Sequence, residues 1–144
     1  MCDSRQHRDE LLDSLRRYDR VVEVGIGHRT GLARRLAADG VAVTATDVHR
    51  REVPETVRFV RDDIVDPDPT VYADADAIYA RNLPPELHRS ALEVARAADA
   101  DFLFTTLGGD QPAVPVERQT IRSGTLYVAR EIDGKSNTTD DVPE

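Results

Sequence analysis

The sequence predicts an α/β fold: an open, mostly parallel sheet with helices on both faces, ending in an antiparallel C-terminal hairpin. Three observations predict it. Short apolar, β-branched runs alternate with segments of helical periodicity, so most strands connect through helices and run parallel. Two β-rich segments near the end, Val116–Arg122 and Thr125–Ile132, flank only Ser123-Gly124, the length of a tight hairpin link. A chain of 144 residues suits a single domain with one sizeable core, placed here at residues 1–132, with a polar acidic tail at 133–144 expected to be disordered.

The elements follow in order. Residues 4–17 read as a helix with Leu11, Leu12 and Leu15 on one side. Val21–Val24 is the first strand. Thr30 is the expected N-cap of the next helix, whose buried stripe is Leu32, Ala33, Leu36 and Ala37, with Arg34, Arg35 and Asp39 toward water. Gly40 stands where a helix end favours positive φ. Val41–Thr46 reads as a second strand buried on both faces. Val57–Arg61 is the third. Residues 62–76, with six aspartates and two prolines, read as a loop rather than a helix. Ala77–Ala80 is the fourth strand. Pro84-Pro85 opens a helix over Glu86–Ala98, because a proline at a helix start removes an N–H that would be unpaired there. Asp101–Leu107 is the fifth strand, and Gly108–Pro112 turns the chain toward the hairpin.

Composition narrows the function classes. Acidic residues number 27 against 19 basic ones, Lys135 is the single lysine, and the net charge is −8. An acidic, lysine-poor surface resembles that of proteins from a salt-loaded, halophilic cytoplasm. It makes general nucleic-acid binding unlikely, since that binding rests on phosphate neutralisation. No apolar run approaches about 18 residues, which argues against a membrane span. The polar N-terminus is unlike a secretory signal, and the lone Cys2 permits no disulfide framework, so the expected setting is the cytoplasm. His7 and Cys2 read as terminal, solvated residues.

The segment V-V-E-V-G-I-G-H-R-T-G, followed by a helix and a strand ending at Asp47, is the order in which a Rossmann-like fold holds an adenosine-containing small molecule. Gly25 and Gly27 lack Cβ atoms, so a ligand can approach the backbone there. The helix that follows offers N-terminal amides to electron-rich groups. Asp47, at the second strand's end, has the two oxygens needed to accept both hydroxyls of a ribose cis-diol, and would repel a 2′-phosphate. The spacing G-x-G-x-x-x-G differs from the dinucleotide pattern, and no hydride-handling residue accompanies it, which disfavours an NAD-linked oxidoreductase. His28, His49 and His88 fall near one sheet edge with Asp47, but their spacing is not that of a metal site, and none is assigned.

The V-V-E-V-G-I-G run, the P-P-E-L helix start and the L-G-G-D-Q-P exit resemble a small archaeal family of truncated S-adenosylmethionine-dependent methyltransferase-like proteins, over about residues 10–132. The resemblance implies S-adenosylmethionine as cofactor. It implies Glu23 toward the methionine ammonium end, Asp63 (or Asp62, one register away) accepting from the adenine amino group, and Ile64 packing on the ring. Amino-group methyltransferases place N-P-P-[YF] after the fourth strand. Here Leu83 intervenes in Asn82-Leu83-Pro84-Pro85 and no aromatic follows. Asn82 is thus the one weak catalytic candidate, with helix N-cap as its other reading. Two functions follow: a minimal methyltransferase of unread substrate, or a binding module that keeps the pocket without methyl transfer. The edge hairpin offers a surface for a homodimer or a protein partner.

Overall fold

In the computed structural model, residues 10–121 and 124–130 are described. Seven strands form one sheet: β1 (Arg20–Val24), β2 (Ala42–Asp47), β3 (Arg58–Arg61), β4 (Ala77–Ala80), β5 (Asp101–Phe104), β6 (Glu117–Ile121) and β7 (Gly124–Ala129). Their order across the sheet is β3-β2-β1-β4-β5-β7-β6. The first five run parallel, while β7 pairs antiparallel with β5 and β6 with β7. The mixed sheet and its terminal hairpin match the expected fold class. The strand order reverses direction between β1 and β4, and open α/β sheets bind ligands at the carboxyl ends of strands flanking such a reversal.

Side-chain alternation splits the core into two layers. Val21, Val43, Tyr79, Leu103, Leu126 and Val128 pack with Leu11, Leu12 and Leu15 of helix α1 (residues 10–15) and with Leu32 and Leu36 of helix α2 (Gly31–Ala38). Val22, Ile78, Phe102, Phe104 and Tyr127 pack on the other side with Ala91, Leu92 and Ala95 of helix α4 (His88–Ala97). Both long helices end in the same backbone device. After α2, Gly40 at φ +93° donates to Ala37 and Val41 to Leu36; after α4, Asp99 at φ +56° donates to Arg96 and Ala100 to Ala95. These paired reverse hydrogen bonds satisfy the last carbonyls of each helix.

Several boundaries differ from the sequence reading. Residues 62–76 are not all loop: Pro69–Tyr72 forms a short helix, α3. The Asp68 carboxylate caps it by accepting from the Thr70 N–H at 3.0 Å, and Pro69 occupies the first turn. The aspartate and proline that read as loop are thus a helix start. Residues Pro85–Leu87 form a 3₁₀ turn before α4, so the α-helix begins at His88 rather than Glu86. Strand β5 stops at Phe104 instead of Leu107, because Thr105 turns its backbone to bond Ala80 and Leu83. Thr30 stands at the N-cap of α2, but its hydroxyl makes no capping bond. The N-terminal part of the 4–17 helix, the ends of the hairpin segments at Arg122, Ser123, Glu131 and Ile132, the tail, Cys2 and His7 lie outside the described residues.

Candidate functional site

The glycine turn lies at the strand-order reversal. Gly25 and Gly27 adopt φ +68° and +58°, a region in which a Cβ clashes with its own backbone, which explains the residue type. The N–H groups of Gly25 and Ile26 both bond the Thr46 carbonyl, at 2.9 and 3.0 Å, tying the turn to the end of β2. A pocket of about 190 Å³ opens between this turn, residues Gly25–Arg29, and the exit of β4 at Arg81 and Asn82.

Asp47 closes the outer side of the turn. Its Oδ2 accepts from the Gly27 N–H at 2.9 Å and its Oδ1 from the His49 N–H at 2.9 Å. The residue is 7% exposed. Burial pushes the carboxyl up, but the His49 and Gly27 N–H groups and the Arg51 charge outweigh it and hold the pKa below the ordinary carboxylate value. Arg51 Nε stands 3.4 Å from Oδ2, an ion-pair distance, yet this buried nitrogen has no aligned acceptor. Arg51 Nη1 lies 3.1 Å from His28 Nε2, so the two side chains meet across the lip of the cleft.

Glu23, which the resemblance implies lies toward the methionine ammonium end, is enclosed at the corner between β1 and β4. It is 1% exposed and both of its oxygens are engaged within the protein. Oε1 accepts from the Tyr79 hydroxyl at 2.8 Å; Oε2 accepts from Arg81 Nε and Nη2 at 3.2 and 3.0 Å. Arg81 Nη2 also donates to the Arg29 carbonyl at 2.7 Å. The pairing follows from strand register, since Glu23 lies opposite Tyr79 on adjacent parallel strands. Burial raises the Glu23 pKa, with Arg81 and Tyr79 pulling it back in part. Glu23 therefore meets the cleft only through Arg81.

Asn82 lines the pocket but is not a helix N-cap. It sits at φ +54°, and its backbone N–H donates to Thr105 Oγ1 at 2.9 Å. Leu83 beyond it is buried and bonds the Thr105 carbonyl. His88 is fully buried: Nε2 lies 2.9 Å from the Leu83 carbonyl and Nδ1 accepts from the Ala113 N–H. A ring that accepts at Nδ1 donates at Nε2, so His88 is a neutral clamp on the β4 exit rather than a member of the His28–His49 edge. Among the described residues, no group of three His, Cys, Asp or Glu stands close enough to hold a metal ion.

At the end of β3 the two aspartates separate. Asp62 accepts from the Asp68 N–H at 3.0 Å and from the Tyr72 hydroxyl at 2.7 Å, which ties α3 to the sheet. Asp63 is exposed, and its carboxylate accepts from the Val65 N–H at 3.0 Å while its carbonyl accepts from the Asp66 N–H at 2.9 Å. Ile64 is buried in the α4-side core. It lines a second, larger groove of about 460 Å³ between residues 64–73 and α4, away from the glycine turn. Sequence reasoning missed Tyr79, Arg81 and Thr105, and it weighed His88 only as a neighbour of the His28–His49 edge. The signal for the first two was available, because an acid inside an apolar strand requires partners.

This sheet order, with a glycine turn and a strand-end acid beside the reversal, defines the class: a methyltransferase-type Rossmann-like fold. Solved structures share it. The magnesium protoporphyrin IX methyltransferase of Synechocystis, solved with SAM bound, superposes with a TM-score of 0.61 at 14% identity, covering 88% of this chain and 78% of that one. The methyltransferase domain of bacterial CtHen1 gives a TM-score of 0.57 at 14% identity, covering 71% of this chain; this chain spans 65% of that domain. At such identities the likeness concerns the fold. A family model described as "Uncharacterised protein family (UPF0146)" matches residues 9–132. The UPF0146 protein of the archaeon Halobacterium salinarum is 56% identical over 115 residues, 79% of this chain and 89% of its own length. The chain belongs to the UPF0146 family. No helix among the described residues is long and apolar enough to cross a membrane.

Proposed function

We propose that this protein binds S-adenosylmethionine or S-adenosylhomocysteine in the cleft at the carboxyl ends of β1, β2 and β3. The observation that carries the reading is Asp47: an ionised carboxylate at the end of β2, drawn against the glycine turn by the Gly27 N–H. Each oxygen accepts one backbone N–H and keeps capacity for another donor, so ribose hydroxyls can add to the site without breaking it. Gly25 and Gly27 leave room for the ligand's approach. Asp63, with one oxygen on Val65, is the outer acceptor for an adenine amino group, and Ile64 supports that loop from below. Val48 and Leu107, exposed apolar side chains, follow β2 and β5.

Methyl transfer from a sulfonium needs positioning more than acid–base chemistry, so a small site with Asn82 at its rim suffices in principle. One arrangement favours the second reading, a binding module without transfer. Buried Leu83 follows Asn82, so the β4 exit is anchored through Thr105 and His88 rather than opened toward an acceptor. Titration calorimetry with both ligands tests the shared claim. Binding is expected, and ligand at 100 times its dissociation constant should add about 2.7 kcal/mol of stability. Absence of heat at millimolar ligand overturns both readings. Product formation from labelled S-adenosylmethionine with a panel of small molecules, tRNA and proteins separates them.

A further inference from the structure

Helix α4 is 10 residues long, but the helix beside it, α3, has only 4. The mismatch leaves the groove of about 460 Å³ between them. Its walls are apolar: Ile64, Pro67 and Tyr72 on one side, Val94 and Ala97 of α4 on the other. Val65, also on its wall, is 61% exposed. The charged residues that line the groove are Glu93 and Asp99, both exposed, and neither carboxylate has an ion pair among the described residues. No arginine, lysine or histidine lines it among the described residues. Six positions separate Glu93 from Asp99, about 9 Å along a helix axis. Asp99 leads through Ala100 into the start of β5, so the groove runs toward the amino edge of the sheet, opposite the glycine turn.

An apolar concavity of this volume suits a small organic molecule. Two carboxylates spaced along one wall, with no cation to answer them, favour positive charge at two points and apolar substance between. We propose that this groove is a second ligand site, for a linear aliphatic diamine or polyamine. Its methylenes lie on the apolar walls, and its ammonium groups face Glu93 and Asp99. The site is separate from the cleft at the glycine turn, so it stands whether or not an adenosine ligand binds there.

NMR of the full chain tests it through the backbone amide signals of Val65, Val94 and Ala97. The probes are 1,5-diaminopentane, 1-aminopentane and 1,5-pentanediol. The diamine is expected to move those signals and to bind about tenfold tighter than the diol, the effect of two exposed ion pairs, with the monoamine between. In Glu93→Gln/Asp99→Asn that margin should vanish while diol binding persists. Both replacements keep the side-chain shape, and asparagine tolerates the positive φ at position 99. Ala97→Arg, at an exposed position of α4, brings a cation to the groove and should abolish diamine binding. Equal binding of diamine and diol means an uncharged apolar occupant and overturns the proposal, as does equal binding of diamine and monoamine. A margin that survives the double variant overturns it too. Groove signals that move only on dilution of the unliganded chain mean that a second copy covers the groove, against the proposal. Movement confined to other residues, or none with any probe, sinks it as well.

Discussion

Asp47 and Glu23 are acids on neighbouring strands, 7% and 1% exposed, yet the fold treats them oppositely. Asp47 is held by two backbone N–H groups and a neighbouring arginine, and its carboxyl sits below the ordinary carboxylate value. Glu23 is held by Tyr79 of β4 and by Arg81 just past its end, and burial lifts its carboxyl above the ordinary value. Backbone donors belong to the turn itself and keep an acid at the surface of the cleft. Side-chain donors enclose an acid and turn it into an anchor. The corner between β1 and β2 thus keeps its acid at the surface of the cleft, while the corner between β1 and β4 holds an arginine in place.

The largest test of this contrast is Glu23→Ala. It leaves the Arg81 guanidinium without its counter-charge and the Tyr79 hydroxyl without its acceptor, both in buried surroundings. Removing one member of a buried pair costs about 3–5 kcal/mol, so denaturant titration should show a large fall in midpoint. A change below about 1 kcal/mol would mean that Glu23 is not the anchor of β4 to β1.

Asp47→Asn should act on the other property. A charge-assisted hydrogen bond contributes about 1.5–3 kcal/mol, so adenosine-ligand affinity is expected to fall roughly 10- to 100-fold in calorimetry. The same substitution carries a pH signature. Because the folded Asp47 carboxyl lies below its ordinary value of 3.8, the stability it contributes is complete above that value and is lost as pH falls through the folded value. The unaltered chain should therefore lose stability on that acid limb, and Asp47→Asn should flatten it. Unchanged affinity with a flattened limb would make Asp47 a structural cap on the glycine turn.

How much of this was legible in the sequence depends on how far apart the partners lie. The glycine turn, the acid at the end of β2 and the hairpin are local patterns, and their places follow from strand periodicity and φ requirements. The Glu23–Tyr79–Arg81 cluster joins positions 56 and 58 residues apart, and it exists only because β4 inserts beside β1. The sequence contains Arg81 directly after the apolar run Ala77–Ala80, but nothing local states which strand is its neighbour. Asp62 and Asp63 present the same difficulty at short range. Asp62 bonds Tyr72 ten positions away, and that partner appears only once α3 is recognised as a helix. The short helix was itself hidden because aspartate and proline serve loops and helix starts alike.

The smallest expected effect comes from Asn82, where the two corners meet. Its φ of +54° is a conformation that asparagine and glycine tolerate best, and its structural bond is made by the backbone N–H, which glycine retains. Asn82→Gly should therefore leave stability within about 1 kcal/mol and leave ligand affinity nearly unchanged. That neutrality makes it a sharp probe of catalysis. If the side chain orients a methyl acceptor, transfer falls while binding and folding hold. If the β4 corner serves only to fix Arg81 and the glycine turn, no property of the protein changes. A substantial loss of stability would instead show that the Asn82 side chain makes contacts that matter to the fold, and would move the residue from the ligand side of the comparison to the anchoring side.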